Sequence, residues 1–411
     1  MKYACIGEHL KHSFSKEIHN ALADYEYEIK EIPKEELDSF MRMHDFIGIN
    51  VTIPYKELVI PYLYEIDSAA REIGAVNTVV NKGGKLYGYN TDFYGMSELF
   101  RHAGISAKGK KAAILGSGGT AKTAKAVLKA LGACEIFTVS RKKNNETISY
   151  EELYDKHSDT EIIVNTTPVG MFPDTDKAPV EIDKFKRLSG VIDAVYNPIR
   201  TSLISSARER GIPAEGGLYM LVAQALRASE LFLGKRYENG ELSRVFNKTL
   251  SEKENLVLIG MPSSGKTTLG RALSALLSRP LYDSDEEIVK LHGDIPAIFK
   301  TFGEEAFRDY ESEAIKELSK KTGVIISTGG GAVLREENVK ALKKNGKIIF
   351  LNRALEDLTP TLDRPLSSDN VALLRRYTER YPIYNAAADL TVKVEGTPKE
   401  LAEKIKESLF I

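Results

Sequence analysis

Residues 260–267 combine glycines, a lysine and a threonine in the spacing of a phosphate-binding loop, GMPSSGKT. In such a loop successive backbone N–H groups cradle phosphate oxygens, the lysine neutralises the β- and γ-phosphates, and the next hydroxyl holds Mg²⁺. An apolar stretch at 255–259 precedes the loop and an amphipathic stretch at 268–277 follows it, which favours nucleotide binding over a chance glycine-rich turn. The pattern assigns these residues to the nucleotide: Gly260, Ser263, Ser264, Gly265, Lys266, Thr267 and Thr268.

A second glycine-rich turn, GSGGT at residues 116–120, follows an apolar stretch at 110–115 and opens a helical stretch at 121–131. Glycines there let the backbone approach a pyrophosphate at the positive end of a helix. A turn of this kind is weak evidence alone, and its place between strand and helix strengthens it. The expected dinucleotide contacts are Gly116, Ser117, Gly118, Gly119, Thr120 and Ala121.

The next apolar strand, residues 135–139, ends in a basic turn rather than at an acid. An acid at this point usually accepts from the ribose 2′-hydroxyl of NAD, whereas cations suit a 2′-phosphate. Ser140, Arg141 and Lys142, followed by Lys143, therefore predict NADP(H) as the cofactor. The alternative is a solvated basic turn.

Composition limits the class of protein. The chain has 411 residues, too many for one ordinary core, with 42% apolar and 28% charged residues. Its net charge of −1 gives no reason to expect a nucleic-acid or membrane partner. Two cysteines and seven scattered histidines support neither a disulfide framework nor a zinc site. The first apolar strand, at 2–6, follows the initial methionine closely, so we expect no signal peptide and a cytoplasmic location.

Strands alternate with helical stretches along the whole chain, which indicates the α/β class. Residues 238–254 are polar and weakly periodic, so the sequence predicts a linker at 241–253. The phosphate loop then belongs to a domain at 254–411.

Residues 1 to about 240 resemble shikimate dehydrogenase through seven motifs in the family's order. These are HSFS at 12–15 with His19 and Asn20, NVTIPYK at 50–56, GAVNT at 74–78, NTD at 90–92, NTTPVGM at 165–171, DAVYNP at 193–198 and GLYMLVAQ at 217–224. The resemblance implies a substrate-binding lobe at 1–95, to which residues 217–240 return, and a Rossmann-type NADP-binding domain at 96–216.

Reduction of a ring ketone needs a hydride donor and a proton donor on opposite sides of one carbon. The resemblance makes Lys56 and Asp92 the catalytic pair, both also touching the substrate. It implies substrate contacts at Ser13, Ser15, Thr52, Asn77, Tyr196 and Gln224, and further cofactor contacts at Thr166, Thr167, Pro168, Val195 and Gly217. Taken singly, Lys56 reads as a surface lysine and Asp92 as the cap of a helix beginning near Tyr94. Lys16 and Phe93 depart from the family pattern, and we expect Phe93 either to narrow the cleft or to alter its cofactor side.

From about residue 254 the chain resembles shikimate kinase, a phosphate-loop fold. The motifs are YDSD at 282–285, GEEAFR at 303–308, STGGGA at 327–332, DRPL at 363–366 and RYTERYPIY at 376–384. The segment before the DRPL lid motif is shorter than in the family and lacks an arginine associated with the adenine, since Thr359 and Pro360 stand there.

The kinase resemblance implies ATP and Mg²⁺ as ligands and assigns a role to each motif. Lys266 and Asp285 would be catalytic, Thr267 and Asp283 would hold the metal, and Arg364 would close over the transferring phosphate. The substrate contacts would be Asp285, Arg308, Gly329, Gly330, Gly331 and Arg380. Paired arginines suit a carboxylate because each guanidinium donates two parallel hydrogen bonds. Solvated helix charges at the arginines and a flexible glycine loop are the alternatives.

Together the two resemblances predict one enzyme for two consecutive steps of the shikimate pathway. It would reduce 3-dehydroshikimate to shikimate with NADPH and then phosphorylate the 3-hydroxyl with ATP. Three alternatives stay open: a sensor of shikimate or quinate without catalysis, a dehydrogenase with an impaired kinase, and a preference for quinate. The sequence carries no signal for the oligomeric state.

Overall fold

The computed structural model describes residues 2–8, 10, 14–142, 144–358 and 370–409, with side chains in the last range from residue 373 onward. The chain divides into two compact units, Met1–Thr249 and Leu250–Ile411. Three sheets are found in the described ranges, two in the first unit and one in the second. The expected α/β class is confirmed.

The first sheet has six strands in the order β2-β1-β3-β5-β6-β4. Its strands are β1 (Tyr3–Gly7), β2 (Tyr27–Glu31), β3 (Gly48–Val51), β4 (Glu65–Ile66), β5 (Thr78–Lys82) and β6 (Lys85–Tyr89), and its helices are α1 (Ser15–Leu22), α2 (Leu37–Met43), α3 (Ser68–Ile73) and α4 (Thr91–His102). The strands β1, β2 and β3 run parallel, while β5 is antiparallel to both β3 and β6. This arrangement places the loop after β3 beside the start of α4, which follows β6.

The second sheet is parallel throughout, in the order β11-β10-β9-β7-β8. Its elements are β7 (Lys111–Leu115), α5 (Gly119–Ala130), β8 (Glu135–Val139), α6 (Tyr150–Lys156), β9 (Ile162–Asn165), β10 (Gly190–Asp193), α7 (Ser202–Glu209), β11 (Ala214–Glu215) and α8 (Leu218–Leu233). Helices cover both faces of such a sheet, so its central strands are almost wholly apolar. The strand order reverses at β7, which opens a crevice at the carboxyl ends of β7 and β9.

Helix α8 packs against the first sheet. The ring of Phe232 lies 5.3 Å from that of Tyr3. A Cβ on Gly48 would lie 2.3 Å from the Phe232 ring, so only glycine allows β3 to approach α8 this closely. Residues of α8 therefore complete the core beside β1 and β3.

The segment expected to be a linker forms the helix α9, Glu241–Lys253. Its apolar residues Leu242, Val245 and Phe246, with Thr249, recur at the spacing of one helical face, which the polar composition concealed. Val245 is fully buried, and the Phe246 ring lies 4.9 Å from that of Tyr219. The division between the two units falls within this helix.

The third sheet, in the second unit, is also parallel, in the order β13-β14-β12-β15-β16. Its elements are β12 (Asn255–Ile259), α10 (Lys266–Leu277), β13 (Leu281–Asp283), α11 (Ser284–His292), α12 (Ile295–Ser319), β14 (Ile325–Ser327), α13 (Glu336–Asn345), β15 (Gly346–Asn352), α14 (Asn370–Ala387), β16 (Leu390–Lys393) and α15 (Pro398–Leu409). The phosphate loop follows the central strand β12, so it opens between the carboxyl ends of β14 and β15. Helix α12 is kinked at Gly303, whose φ is 83°.

In the described part of the chain, every helix is too short or too polar to cross a bilayer.

Candidate active sites

Lys56 and Asp92 form an ion pair inside the first unit. The Nζ of Lys56 lies 2.5 Å from Oδ2 of Asp92, and the two side chains are only 15% and 9% exposed. Asn90 caps α4 by accepting from the backbone N–H of Phe93 at 3.1 Å. Because Asn90 is the cap, Asp92 does not serve that role, and its carboxylate is available to hold the ammonium.

This pair lines a cavity of about 600 Å³, which we call the first cavity. Seven of the eight residues predicted to touch substrate there line it together: Ser15, Thr52, Lys56, Asn77, Asp92, Tyr196 and Gln224. Thr120 and Gly217, predicted for the cofactor, lie on the same wall. Ser13 falls outside the described residues.

A hydrogen-bond network fixes the polar side chains of the first cavity. The backbone N–H of Thr91 donates to Oδ1 of Asn77 at 2.7 Å, and Nδ2 of Asn77 donates to the Thr91 hydroxyl at 3.0 Å. Gln224 donates from Nε2 to the Leu221 carbonyl at 2.9 Å. These bonds hold the amide groups in place before any substrate enters.

Asn50, which the sequence reasoning did not select, also lines the first cavity. It accepts from the Tyr27 hydroxyl at 2.6 Å and donates from Nδ2 to the Thr78 hydroxyl at 3.1 Å. An amide within the buried strand β3 needs such partners, because an unpaired polar group in a core is destabilising. A polar residue within an otherwise apolar strand was the sequence signal by which Asn50 could have been found.

His19 packs against Tyr27, the hydrogen-bond donor to Asn50. Its ring stacks on that of Tyr27 with centroids 3.8 Å apart, and its Nδ1 lies 2.5 Å from the Tyr25 hydroxyl. Complete burial lowers the pKa of His19 to about 3, so the imidazole is neutral. The histidine therefore acts as a packing residue behind Asn50.

The departure at Phe93 lies away from the cavity wall. Phe93 packs against the apolar core that joins α4 to α5, which includes Met96, Ala121 and Ala124. The described lining of the first cavity contains instead the apolar side chains of Met171, Phe172, Met220 and Leu221. The expectation that Phe93 narrows the cleft has no support in this arrangement.

The crevice between β7 and β9 holds the predicted dinucleotide residues. Gly116 has a φ of 109°, and a Cβ there would lie 2.8 Å from the Thr166 hydroxyl, which donates to the Leu115 carbonyl at 2.7 Å. Gly118 precedes α5 without a side-chain cap. The Ala121 N–H donates to the Gly118 carbonyl at 2.9 Å. The start of α5 at Gly119 and Thr120 therefore presents backbone N–H groups to the crevice beside Ser117, as an anion-binding helix end requires.

The far side of the crevice is shaped by close backbone contacts. Gly217 donates its N–H to the Val195 carbonyl at 2.9 Å, and a Cβ on Gly217 would lie 2.2 Å from the Ala194 carbonyl oxygen. Any larger residue at 217 would therefore push the start of α8 away from the segment after β10. Thr167 donates to Oδ1 of Asn165 at 2.7 Å, which holds the turn that continues into Pro168.

A buried carboxylate braces this region. Burial raises the pKa of Asp193 to about 6, although Thr201, the Val195 N–H and Asn165 all donate to it. The distances are 2.7 Å from the Thr201 hydroxyl, 3.0 Å from the Val195 nitrogen and 2.9 Å from Asn165 Nδ2. Asp193 thus ties the end of β10 to that of β9.

The basic turn lies beside the glycine-rich turn. The N–H of Gly116 donates to the Val139 carbonyl at 2.8 Å, so the end of β8 adjoins the end of β7. The turn is folded by the Lys142 N–H, which donates to the Ser140 hydroxyl at 3.3 Å. Arg141 and Lys142 are both exposed. Two exposed cations at this point are suited to a phosphate on the ribose.

In the second unit, the phosphate loop lines a cavity of about 310 Å³, which we call the second cavity. Ser263, Gly265, Lys266, Thr267 and Thr268 line it, together with Asp283 and Asp285. The Ser264 side chain is buried behind the loop, close to Gly260, so only its backbone can serve a phosphate.

Thr267 and Asp283 bring two oxygens together at the base of this cavity. The Thr267 hydroxyl donates to Oδ2 of Asp283 at 2.9 Å. Oδ1 of Asp283 accepts from the Asp285 N–H at 3.0 Å, which starts α11 and turns Asp285 toward the cavity. Hydroxyl and carboxylate oxygens are the ligands Mg²⁺ prefers, with phosphates and water completing its shell. The residues present therefore fit a magnesium ion.

The three successive glycines at 329–331 lie beneath side chains from other elements. A Cβ on Gly329 would lie within 2.7 Å of both Asp285 Oδ1 and Glu311 Oε1, and one on Gly331 would lie 2.0 Å from Arg308 Nη1. The Gly329 N–H donates to the Ser284 hydroxyl at 2.8 Å, so it is already used. The glycines are needed for close packing more than for free N–H groups.

Arg308 and Arg380 converge on this glycine run. Arg380 donates to the Gly330 carbonyl at 3.1 Å, and the Tyr384 hydroxyl donates to the same oxygen. Arg308 donates to Oε2 of Glu311 at 2.7 Å. Glu311, which the sequence reasoning missed, is only 1% exposed, and burial raises its pKa even though Arg308 opposes the shift. Glu311 stands three residues after Arg308 on α12, and this spacing was the sequence signal for an ion pair between them. Arg364 lies outside the described residues.

Comparison with known proteins matches a family model to each part of the chain. Residues 5–79 match the family model of the shikimate dehydrogenase substrate binding domain, and residues 262–410 match that of shikimate kinase. An NADP(+) shikimate dehydrogenase of Clostridium beijerinckii is 38% identical over 254 residues, which cover 58% of this chain and 93% of the relative. The chain belongs to the shikimate dehydrogenase family.

Solved shikimate dehydrogenases share its fold over the same part of the chain. The enzyme of Peptoclostridium difficile is 36% identical with a TM-score of 0.56, covering 60% of this chain and 97% of that one. The enzyme of Thermus thermophilus, solved with NADP(H) and shikimate, is 27% identical with a TM-score of 0.55, covering 61% and 99%. The shikimate kinase match begins after this region, so both resemblances inferred from the motifs are confirmed.

Proposed function

We propose that this chain is a bifunctional enzyme that reduces 3-dehydroshikimate to shikimate and then phosphorylates the 3-hydroxyl of shikimate. The observation that carries the proposal is the Lys56–Asp92 ion pair, held at 2.5 Å within a cavity lined by small polar side chains. Such side chains suit a polyol acid, because each buried hydroxyl needs a hydrogen-bond partner.

In the first cavity the chain's own residues bind the acid and move one proton. Bound NADPH supplies the hydride. Lys56 donates a proton from Nζ to the substrate oxygen that becomes a hydroxyl, and Asp92 holds the ammonium in position. Asn77 and Gln224, already fixed by hydrogen bonds, orient the ring hydroxyls, and Ser15 and Thr52 complete the polar wall.

The crevice beside this cavity takes the cofactor. Gly116, the uncapped start of α5 and Gly217 provide the close backbone approach that a pyrophosphate needs. Arg141 and Lys142 provide charge for the 2′-phosphate, which supports NADP(H) over NAD.

In the second cavity phosphoryl transfer depends on positioning and charge. Lys266 now donates to the Gly260 and Met261 carbonyls at 3.0 Å and 2.9 Å, and phosphate oxygens would take their place. Thr267 would hold Mg²⁺, and Asp283 would assist through water. Asp285 accepts the hydrogen bond of the attacking hydroxyl, while Arg308 and Arg380 bind the carboxylate of shikimate.

The domain assignment is part of the proposal. We assign the substrate lobe to 1–95 with the return of 217–240, the NADP-binding domain to 96–216 and the kinase to 254–411. Residues 241–253 form a helix and are the linker that joins the return segment 217–240 to the kinase at 254–411.

The decisive experiment supplies 3-dehydroshikimate, NADPH and Mg-ATP to the purified chain. Shikimate 3-phosphate, identified by mass spectrometry, is the expected product; omission of ATP should stop the reaction at shikimate. Ligand binding without turnover in either half would instead favour the sensor. Oxidation of quinate faster than that of shikimate would overturn the substrate assignment.

A further inference from the structure

Arg353 is a charged residue of the second cavity that no motif identifies. The charged side chains in the described lining are Lys266, Asp283, Asp285 and Arg353. Without Arg353, one lysine would face two carboxylates, an unfavourable balance for a polyanionic ligand. Arg353 makes the two signs equal and gives the cavity a second cation.

The position of Arg353 is fixed by the strand before it. In β15, Phe350 pairs with Ile259 of β12, the last residue before the phosphate loop. A Cβ on Gly260 would lie 2.9 Å from the Leu351 carbonyl oxygen, so the two backbones touch where the loop begins. Asn352 donates to the Tyr381 hydroxyl at 3.3 Å and accepts from the Val394 N–H at 3.1 Å. The main chain that enters Arg353 is therefore held beside the loop.

Among the residues that the structure describes, the side chain of Arg353 has no hydrogen-bond or ion-pair partner. Its Nε is buried without a hydrogen-bond acceptor, and neither an ion pair nor a hydrogen bond joins its guanidinium to another described residue. Arg308, by contrast, meets Glu311 and Glu304 at 2.7 Å and 3.0 Å. A buried guanidinium N–H normally has an acceptor, so an unsatisfied one in a cavity points to a ligand that supplies oxygens.

The sheet order indicates which ligand this is. Asp283 and the glycine run follow β13 and β14, which lie on one side of β12, whereas Arg353 follows β15 on the other side. Asp285 and the glycine run, both assigned to the acid substrate, thus lie across the phosphate loop from Arg353. The anionic oxygens nearest to Arg353 would be those of the nucleotide.

We propose that Arg353 binds the phosphate oxygens of the nucleotide as a second cation beside Lys266, and that it selects for the polyphosphate rather than for the base or the acid substrate. This inference rests on the proposed kinase function. It gives this cavity an arginine that directly follows β15, whereas the segment before the lid motif has none at Thr359 and Pro360.

The test compares Arg353→Gln, Arg353→Lys and the control Arg375→Gln, whose arginine is 81% exposed and pairs with Glu379. Calorimetric titration with MgADP and with adenosine measures the phosphate contribution directly. We expect the Kd of MgADP to rise about 10-fold to 100-fold in Arg353→Gln, as for loss of a charge-assisted hydrogen bond, with adenosine binding unchanged. Arg353→Lys should recover part of the affinity, since it keeps the charge but loses the planar fork.

Steady-state kinetics provides the second readout. The KM of Mg-ATP should rise with that Kd, while kcat and the KM of shikimate stay within about threefold, as for binding lost equally in ground and transition states. An MgADP Kd within twofold of wild type in Arg353→Gln would overturn the proposal, as would equal weakening of adenosine and MgADP. If the wild-type chain fails to phosphorylate shikimate, the proposed function fails, and the MgADP titration still decides the role of Arg353.

Discussion

The ammonium of Lys56 and the carboxylate of Asp92 lie 2.5 Å apart, although 36 residues separate them along the chain. Backbone pairing brings them together. The Lys56 carbonyl accepts from the Val76 N–H at 2.8 Å, and the Tyr89 carbonyl accepts from the Asn77 N–H at 3.1 Å. The segment that contains Val76 and Asn77 therefore joins the loop that carries Lys56 to the start of the helix that carries Asp92.

Lys56→Met should abolish ketone reduction without preventing cofactor binding. The substitution keeps the length of the side chain and removes the proton donor, so kcat should fall about 100-fold to 10,000-fold. The measurement is NADPH oxidation with 3-dehydroshikimate, alongside the Kd of NADPH by fluorescence.

Lys129→Met on the exposed face of α5 is the matched control and should retain full activity. A Lys56→Met enzyme with more than a tenth of the wild-type kcat would refute the proton-donor role.

Arg141→Gln combined with Lys142→Gln should weaken the preference for NADPH. Removing two exposed cations beside the glycine-rich turn should raise the KM of NADPH about tenfold and leave that of NADH nearly unchanged, because only NADPH carries the 2′-phosphate. The ratio of kcat/KM values for the two cofactors measures the effect. An equal rise for both would mean that the turn shapes the site without reading the phosphate.

Glu311→Gln should weaken binding of shikimate to the kinase. Glu311 orients Arg308, so loss of its charge leaves the guanidinium less firmly held, and the KM of shikimate should rise about tenfold. The KM of Mg-ATP should not change. Glu313→Gln, at a 63% exposed position on the same helix, is the control. A rise in the KM of Mg-ATP alone would contradict the assignment.

The burial of His19 should make the first unit less stable in acid. Its folded pKa of about 3 is below the ordinary 6.5, so below pH 6.5 the unfolded chain binds a proton that the folded chain excludes. The free energy of opening should therefore fall, by up to about 1.4 kcal/mol per pH unit, as the pH drops from 6.5 toward 3. His19→Phe, which preserves ring stacking on Tyr27, should lack this dependence.

Hydrogen–deuterium exchange of peptides from β1 and β2 measures that free energy at each pH. Asp193, whose raised pKa makes folding less favourable as the pH rises from 3.8 to about 6, contributes equally to both proteins and cancels in the difference. His44→Asn serves as the control, since its φ of 52° suits asparagine. Parallel pH profiles for wild type and His19→Phe would show that His19 is not the source.

The sequence by itself determined the features whose chemistry is local. The phosphate loop needs only consecutive backbone N–H groups, one lysine and one hydroxyl, so residues 260–267 define it within a single strand–loop–helix unit. Seven ordered motifs likewise identified the dehydrogenase, and alternating elements identified the α/β class. These patterns concern residues close together in the chain or in a fixed order along it.

Tertiary structure alone decided which side chains meet. The apolar helical face of Leu242, Val245 and Phe246 is recognised only together with the surface it covers, so the polar composition of this segment concealed the helix α9. Asn50 and Glu311 became site residues only because Tyr27 and Arg308 pack beside them. Arg353 faces the phosphate loop because β15 is the neighbour of β12, and strand order is set by the burial of whole sheets, which residue spacing in one segment does not encode.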